Sequence, residues 1–338
     1  MAISRSAHGL HPLASARFPR EGSEADRLRF LLRYALAAPS SHNSQPWLFR
    51  LGEGEVELRA DLTRWLRVAD SDQRELYLSL GCALENLLIA AEHFGYSHEV
   101  TLRPDDALPT FAARVGLRAA SGGRSAHRPL ELFEAIAERH TAAVHFDGRP
   151  VEGVELARLQ ALVVEDDIRL VTTKDDGLRR AVRDLVVQSD QMRYPRPEYR
   201  HELASWVRDG SLGAPWGLRW AAGLAISELD LTGPMARKDA GRMDSAGALA
   251  LVTSAGDDPR SQLRAGQVLE RMWLMATHRG LAVQPMSGPL EVPQLRQELG
   301  LVFGTEEGVP QHLFRLGYAA GSARRRPRRD VEEVVEEA

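Results

Sequence analysis

The chain has 338 residues, of which 43% are hydrophobic and 27% are charged, and its formal net charge is -4. This composition is ordinary for a globular protein with a large core, and the acidic balance gives no reason to expect nucleic acid or an anionic membrane as a partner. Because the sequence has one cysteine, it can form neither an intrachain disulfide nor a cysteine metal cluster. The lack of a signal-peptide pattern and of a long apolar run predicts a cytoplasmic location.

Hydrophobic periodicity predicts interleaved helices and strands with short hairpin-like links, which is typical of the α+β class. The predicted helices cover residues 24–37, 80–95, 130–138, 154–163, 178–192, 199–208 and 265–280. The predicted strands cover residues 47–51, 55–60, 98–102, 113–117, 168–171, 249–253 and 312–318. Residues 210–244 are rich in Gly, Ala and Trp with weak periodicity, and we interpret them as a loop or lid.

Two of the predicted helices, residues 80–95 and 265–280, resemble each other in sequence. Each has an apolar stripe, a small residue near its start and a terminal glycine, which predicts a buried helix that another backbone can approach closely. Identical residues recur at a constant offset without gaps: Gly81 and Gly266, Leu84 and Leu269, Glu85 and Glu270, Ala91 and Ala276, His93 and His278, Gly95 and Gly280. Unrelated apolar helices can look alike, but the gapless register favours a tandem duplication.

The duplication predicts two halves, one at residues 22–125 and one at residues 126–338, intertwined as one globular unit. The boundary falls in a connector rich in Gly and Ser at residues 121–125. The possible lid at residues 210–244 belongs to the second half.

Residues 38–47, here called the Pro-Ser-Ser-Asn segment, are the most distinctive part of the chain. Pro39 ends the preceding helix, and Ser40, Ser41 and Asn43 then offer side-chain and backbone groups that could hold a polar ligand. The segment resembles the A-P-S-S-x-N-x-Q-P-W element of the nitroreductase family, whose members bind flavin mononucleotide (FMN). The resemblance implies a nitroreductase-like FMN fold, with two fused pseudo-symmetric halves that each hold an antiparallel-type sheet flanked by helices.

Two further segments resemble the elements that hold the FMN phosphate in this family. Residues 139–141 match its R-[RH]-[ST] element, although alone they would be read as the basic end of a helix. Residues 324–335 resemble the family ending K/R-x-R-R-P-L-E-E-V-V, although a basic run is usually solvated. The implied cofactor-binding residues in these segments are Arg139, His140, Thr141, Arg326 and Arg328.

Residues 285–288, here called the Pro-Met-Ser-Gly loop, resemble the P-[IM]-x-G loop that lies along the flavin ring in this family. The implied cofactor-binding residues are Pro285, Met286, Ser287 and Gly288, and alone they would be read as an ordinary turn. Two positions depart from the family pattern. Ser287 stands where reductases of the family often have Glu, and Ala143 stands where a Lys is common.

The motifs are distributed unequally between the halves. The first half has the Pro-Ser-Ser-Asn segment, and the second half has the phosphate elements and the loop but only residues 164–167 at the counterpart of that segment. In nitroreductase homodimers the two subunits build each FMN site together. We therefore expect one composite FMN site and a monomer that is an intramolecular pseudo-dimer. This arrangement, with segments 68–76 and 199–206, is similar to the fused Acg-type proteins of mycobacteria.

The resemblance implies an FMN-dependent oxidoreductase that transfers a hydride from NAD(P)H to the flavin and passes the electrons to a nitroaromatic or quinone-type acceptor. The cofactor performs this chemistry, so no catalytic side chain is assigned. The alternative is a non-catalytic protein that sequesters FMN under a closed lid. The net charge disfavours a nucleic-acid contact through residues 324–329, and no metal-site, Rossmann, P-loop or esterase motif occurs.

Overall fold

The computed structural model describes residues 18–120, 123–305, 307–319 and 326–336, in which helices and strands interleave along the chain. The α-helices in these ranges are α1 (Glu24–Ala35), α2 (Arg74–His93), α3 (Leu130–Ile136), α4 (Gly153–Gln160), α5 (Asp176–Arg193), α6 (Pro197–Asp209), α7 (Arg219–Glu228), α8 (Thr232–Asp244), α9 (Pro259–His278) and α10 (Pro293–Val302). The strands are β1 (Trp47–Gly52), β2 (Glu55–Ala60), β3 (Tyr96–Leu102), β4 (Phe111–Ala119), β5 (Ile168–Thr173), β6 (Ala248–Ser254), β7 (Ala282–Pro285), β8 (Val309–Gly317) and β9 (Val335–Glu336).

The strands form two sheets. The first has the order β3-β4-β2-β1-β9 and the second has the order β5-β6-β8-β7. Neighbouring strands are antiparallel, except that β9 pairs in parallel with β1. The predicted α+β class, with two antiparallel-type sheets flanked by helices, is therefore confirmed. The division into halves at residues 22–125 and 126–338 stays a prediction, and β9 of the predicted second half joins the sheet of the first. The pairing of β9 draws the C-terminal segment back to the first sheet, so that it lies beside the Pro-Ser-Ser-Asn segment.

Helices α2 and α9 cross where the sequence repeat places a glycine in each. A Cβ atom on Gly81 would lie 2.9 Å from the Cα of Gly266 and would collide with the carbonyl oxygen of Leu263. A Cβ atom on Gly266 would collide in the same way with the carbonyl oxygen of Leu78. The two contacts are reciprocal, since the leucines stand at the same offset in the sequence as the glycines. The predicted close approach of backbones is confirmed.

The prediction of a loop at residues 210–244 is wrong, because this segment forms helices α7 and α8. Gly223 allows α7 to lie against α6, since a Cβ atom there would be 2.6 Å from Cγ of Arg208. Helix α7 has no apolar stripe that marks its buried face in the sequence. Its buried residues are Gly223 and Ser227, whereas Trp220 and Leu224 are exposed. The sequence also gave no indication of β7, β9 and α10, of which the two strands are only four and two residues long.

No helix among the described residues is both long enough and apolar enough to cross a membrane.

The helix crossing leads to a testable prediction. Replacing Gly266 by Ala should lower the free energy of unfolding by about 1–3 kcal/mol, because the new methyl group has no space against α2. The matched control is Gly153→Ala at the start of α4, where a Cβ atom would meet no atom within 4 Å. Urea denaturation would measure both changes. Equal stability of the two variants would contradict the tight crossing.

Candidate functional site

A cavity of about 380 Å³ is lined by residues from distant parts of the chain, including residues of α2, α9, β7 and β8. The cavity wall includes all of the cofactor-binding residues that the sequence predicted: Pro39, Ser40, Ser41, Asn43, Arg139, His140, Thr141, Pro285, Met286, Ser287, Gly288, Arg326 and Arg328. The structure thus brings four separate segments together at one cavity. That these residues bind FMN stays a prediction.

The Pro-Ser-Ser-Asn segment has an unusual backbone. His42, Asn43 and Gln45 have φ angles of 51°, 53° and 52°, in the left-handed region that residues other than glycine rarely adopt. The amide of Asn43 donates to the carbonyl oxygens of Ser211 and Pro327, at 2.9 Å each, and its Oδ1 accepts a hydrogen bond from the guanidinium of Arg328. Asn43 is therefore engaged in holding neighbouring segments, whereas the sequence suggested a side chain free for a ligand.

Arginines converge at one end of the cavity. Arg139 and Arg328 each donate to the carbonyl oxygen of Ala37 at 3.1 Å, and the Arg139 guanidinium lies 4.8 Å from the centre of the Trp273 ring. Nε and Nη1 of Arg139 and Nε of Arg328 are buried and have no hydrogen-bond partner among the described residues. Burial and the nearby Arg139 charge lower the pKa of Arg328 to about 9, and burial also lowers the pKa of Arg326. A bound anion would supply both the missing acceptors and the missing negative charge.

The Pro-Met-Ser-Gly loop presents backbone amides at another wall of the cavity. The N–H of Met286 is paired with the carbonyl oxygen of Leu313 at 2.8 Å. The N–H groups of Ser287 and Gly288 donate to no described residue. A Cβ atom on Gly288 would lie 2.6 Å from Nη2 of Arg193, so a larger residue at this position would displace the arginine.

A polar cluster that the sequence did not predict lies at the cavity beside these segments. Glu75 accepts a hydrogen bond from Ser41 at 2.6 Å and pairs with Arg74 at 2.8 Å. Burial alone would raise the pKa of Glu75, but the Arg74 and His312 charges and the Ser41 hydroxyl outweigh burial and lower it. Nδ1 of His312 lies 3.5 Å from this carboxylate, and both ring nitrogens are buried without a hydrogen-bond partner among the described residues. His312 stands alone on β8, so no sequence motif marked it.

The segments at 68–76 and 199–206, which the sequence singled out together, are in direct contact. The Glu202 carboxylate on α6 accepts hydrogen bonds from the backbone N–H groups of Val68 at 3.0 Å and Ala69 at 2.9 Å. Tyr199 and Ala69 both line the cavity. These segments therefore form one wall of the site.

The pseudo-symmetric position on the other side of the helix crossing is filled by charged side chains. Glu85 is bonded to Arg128 at 2.7 and 3.1 Å and to Gln267 at 3.0 Å, and it lies 3.4 Å from Arg271. Arg271 is also bonded to Glu165, which belongs to the predicted counterpart of the Pro-Ser-Ser-Asn segment. Nε and Nη1 of Arg271 also lack a hydrogen-bond partner among the described residues, but its charge is paired with two carboxylates, those of Glu85 and Glu165.

His42 at the cavity wall gives a second testable prediction. Burial, together with the Arg193 charge, lowers the pKa of His42 from 6.5 to about 4. The folded state of the flavin-free protein then binds fewer protons than the unfolded state between these values, so the stability present above pH 6.5 is lost as the pH falls towards 4. His42→Asn, which tolerates the left-handed backbone, should reduce this loss by roughly 2–3 kcal/mol.

The check is chemical denaturation at several pH values, with His201→Asn on the exposed side of α6 as control. An identical pH dependence in the wild type and in His42→Asn would contradict the burial effect.

Comparison with known proteins identifies relatives over most of the chain. The family model "Nitroreductase family" matches residues 129–318. The Mycobacterium tuberculosis protein named "Putative NAD(P)H nitroreductase Rv3131" is 31% identical over 331 residues, which cover 93% of this chain and 92% of that protein. "Putative NAD(P)H nitroreductase acg" from the same organism is 27% identical, over 91% of this chain and 95% of that protein.

Among solved structures, a "putative nitroreductase" from Anabaena variabilis is similar to this chain with a TM-score of 0.49 and 11% identity, over 89% of this chain and 90% of that one. The family resemblance read from the sequence motifs is confirmed by the family model and by the 31% identical relative. This chain belongs to the nitroreductase family.

Proposed function

We propose that this protein binds FMN and uses it to transfer electrons from NAD(P)H to a small aromatic acceptor of the nitroaromatic or quinone type. The observation that carries the proposal is the set of buried arginine donors without partners at one end of the cavity. A buried N–H group of a guanidinium that lacks an acceptor is costly, so these N–H groups are expected to bind an anionic ligand. The cavity volume of about 380 Å³ is in the range of cofactor sites.

The residues present fit FMN chemically. Arg139, Arg326 and Arg328 would hold the phosphate, since guanidinium groups bind phosphate oxygens through charge-assisted hydrogen bonds. The free N–H groups of Ser287 and Gly288 would hydrogen-bond a polar edge of the flavin ring. FMN supplies the hydride-transfer chemistry when it is bound, and the chain supplies position and charge.

A non-catalytic protein that sequesters FMN is the second candidate, and the contacts of residues 210–244 favour it. The carbonyl oxygen of Ser211 accepts from Asn43, and that of Leu212 accepts from Arg326. Asp239 of α8 also lines the cavity. A segment that contacts the phosphate elements could restrict access to bound flavin, so the two candidates share the FMN site and differ in whether a nucleotide can reach it.

The phosphate assignment predicts loss of flavin in the double variant Arg326→Ala with Arg328→Ala. Each lost charge-assisted hydrogen bond should cost about 1.5–3 kcal/mol, which corresponds to a roughly 10- to 100-fold weaker Kd per arginine. The flavin absorbance of the purified protein measures the effect. The control is Arg149→Ala with Arg196→Ala, which removes two exposed arginines and should leave the flavin content unchanged. A folded Arg326/Arg328 variant that keeps its full flavin content would refute the assignment.

Anaerobic reduction separates the two candidate functions. With an accessible site, we expect the visible flavin spectrum to bleach promptly on addition of NADPH or NADH. Bleaching by dithionite but by neither nucleotide would instead support sequestration. In that case, replacing α7 by a short Gly/Ser link, which leaves α8 in place, should restore reduction by the nucleotide. A colourless protein that takes up no added FMN would overturn both candidates.

A further inference from the structure

Glu270 on α9 is a buried carboxylate with incomplete pairing. Its side chain has no measurable exposure, and neither carboxylate oxygen has a hydrogen-bond partner among the described residues. The nearest cation is Arg139, whose Nε lies 3.7 Å from Oε1. Arg139 also lines the cavity, so the same guanidinium is available to Glu270 and to a ligand in the cavity.

Glu85 is the counterpart of Glu270 in the sequence repeat, but the two carboxylates have different partners and oppositely shifted pKa values. Glu85 is bonded to Arg128 and Gln267, and Arg271 lies 3.4 Å away. Burial alone would raise the pKa of Glu85, but these arginines outweigh burial and lower it. Burial raises the pKa of Glu270 to about 7, since Arg139 opposes the effect only in part. The carboxylate with incomplete pairing is the one on the cavity side.

The charged and polar groups that act on Glu270 come from α2, from the segment after α3 and from the C-terminal segment. Arg139 approaches from the segment after α3, and Arg328 contributes positive charge from the C-terminal segment. Helix α2 contributes Glu85, whose charge raises the pKa of Glu270, and the neutral amide of Asn86, which lowers it. The same helix contributes Cys82, whose pKa is raised by burial and by the Glu270 charge. Two cations thus face one carboxylate with incomplete pairing, before any ligand is added.

A phosphate dianion at these arginines changes the charge balance. Its negative charge competes with the Glu270 carboxylate for Arg139, and it repels that carboxylate through a region of low dielectric. A like charge nearby favours the protonated form of a carboxyl group. Protonation of Glu270 would remove this repulsion and leave the Arg139 charge to the phosphate.

We propose that Glu270 takes up a proton when the phosphate of FMN binds at Arg139 and Arg328. The proton comes from solvent and forms an O–H bond on the Glu270 carboxylate, and nothing is oxidised or reduced. Glu270 acts through Arg139, so it is a positioning residue that couples affinity for the phosphate group to pH. This inference rests on the proposed FMN binding and adds a proton-linked step to it.

The test is calorimetric titration of flavin-free protein with FMN at pH 8, in Tris and in HEPES, whose ionisation enthalpies differ. At this pH the phosphate of free FMN is already a dianion, because its second pKa is about 6. Any proton taken up on binding must therefore go to a group of the protein. With a pKa of about 9, Arg328 is mostly protonated at this pH, so it can account for only a small fraction of one proton. The expected result is an uptake that approaches one proton per FMN bound, seen as a buffer-dependent heat.

Two controls isolate Glu270. Riboflavin has the ring and the ribityl chain without the phosphate, and it should bind without proton uptake. Glu270→Gln should bind FMN with no uptake, and its Kd should be flat from pH 7.5 to 8.5, where the wild-type Kd rises by up to tenfold. If the variant does not fold, the wild-type titration in the two buffers still tests for proton uptake.

The outcomes separate this inference from the proposed function. Equal heats in the two buffers for wild-type protein that binds FMN would overturn the inference and leave the proposed function intact. An uptake that persists in folded Glu270→Gln would also overturn it, since another group would then be taking the proton. A chain that binds no FMN overturns the proposed function and the inference together.

Discussion

The backbone contact between α2 and α9 is the constraint on which the rest of the structure depends. Since Gly81 and Gly266 lack side chains, the two helices approach until each glycine touches a carbonyl of the other helix. Helix α2 contacts strands β2, β3 and β4, and α9 contacts β5, β6, β7 and β8, so the helix pair links the two sheets. The cavity lies beside the crossing, where segments from both halves can reach it. A side chain at either glycine would separate the walls of the site.

Glu85 and Glu270 occupy equivalent positions in the repeat but differ in their charged partners. On one side of the crossing Glu85 is hydrogen-bonded to Arg128 and Gln267 and lies 3.4 Å from Arg271. On the other side the nearest cation to Glu270 is Arg139, 3.7 Å away, and neither oxygen of the Glu270 carboxylate has a hydrogen-bond partner among the described residues. Because buried charges must be paired to be tolerated, the unpaired side is suited to a charged ligand and the paired side is not.

Much of the candidate site could be predicted because its elements are short and continuous in the sequence. The Pro-Ser-Ser-Asn segment and the Pro-Met-Ser-Gly loop each contain their own turn residues and polar groups, so local chemistry identifies them. Glu75 and His312 could be recognised as neighbours only in the folded chain, since they lie on different elements and no motif joins them. Helix α7 was missed because its apolar residues face solvent, and β9 because two residues have no periodicity.

The sequence by itself determined the repeat shared by the two central helices, the two glycines at their crossing and the residue types that face the cavity, because each of these can be read from a local pattern or from the register of the repeat. Only the tertiary structure decided which of the two equivalent glutamates is left with incomplete pairing. The physical reason is that the partners of a buried charge come from distant segments, such as Arg128 for Glu85 and Arg139 for Glu270. The packing of the folded chain sets the distances between these arginines and glutamates, so they cannot be read from a local sequence pattern.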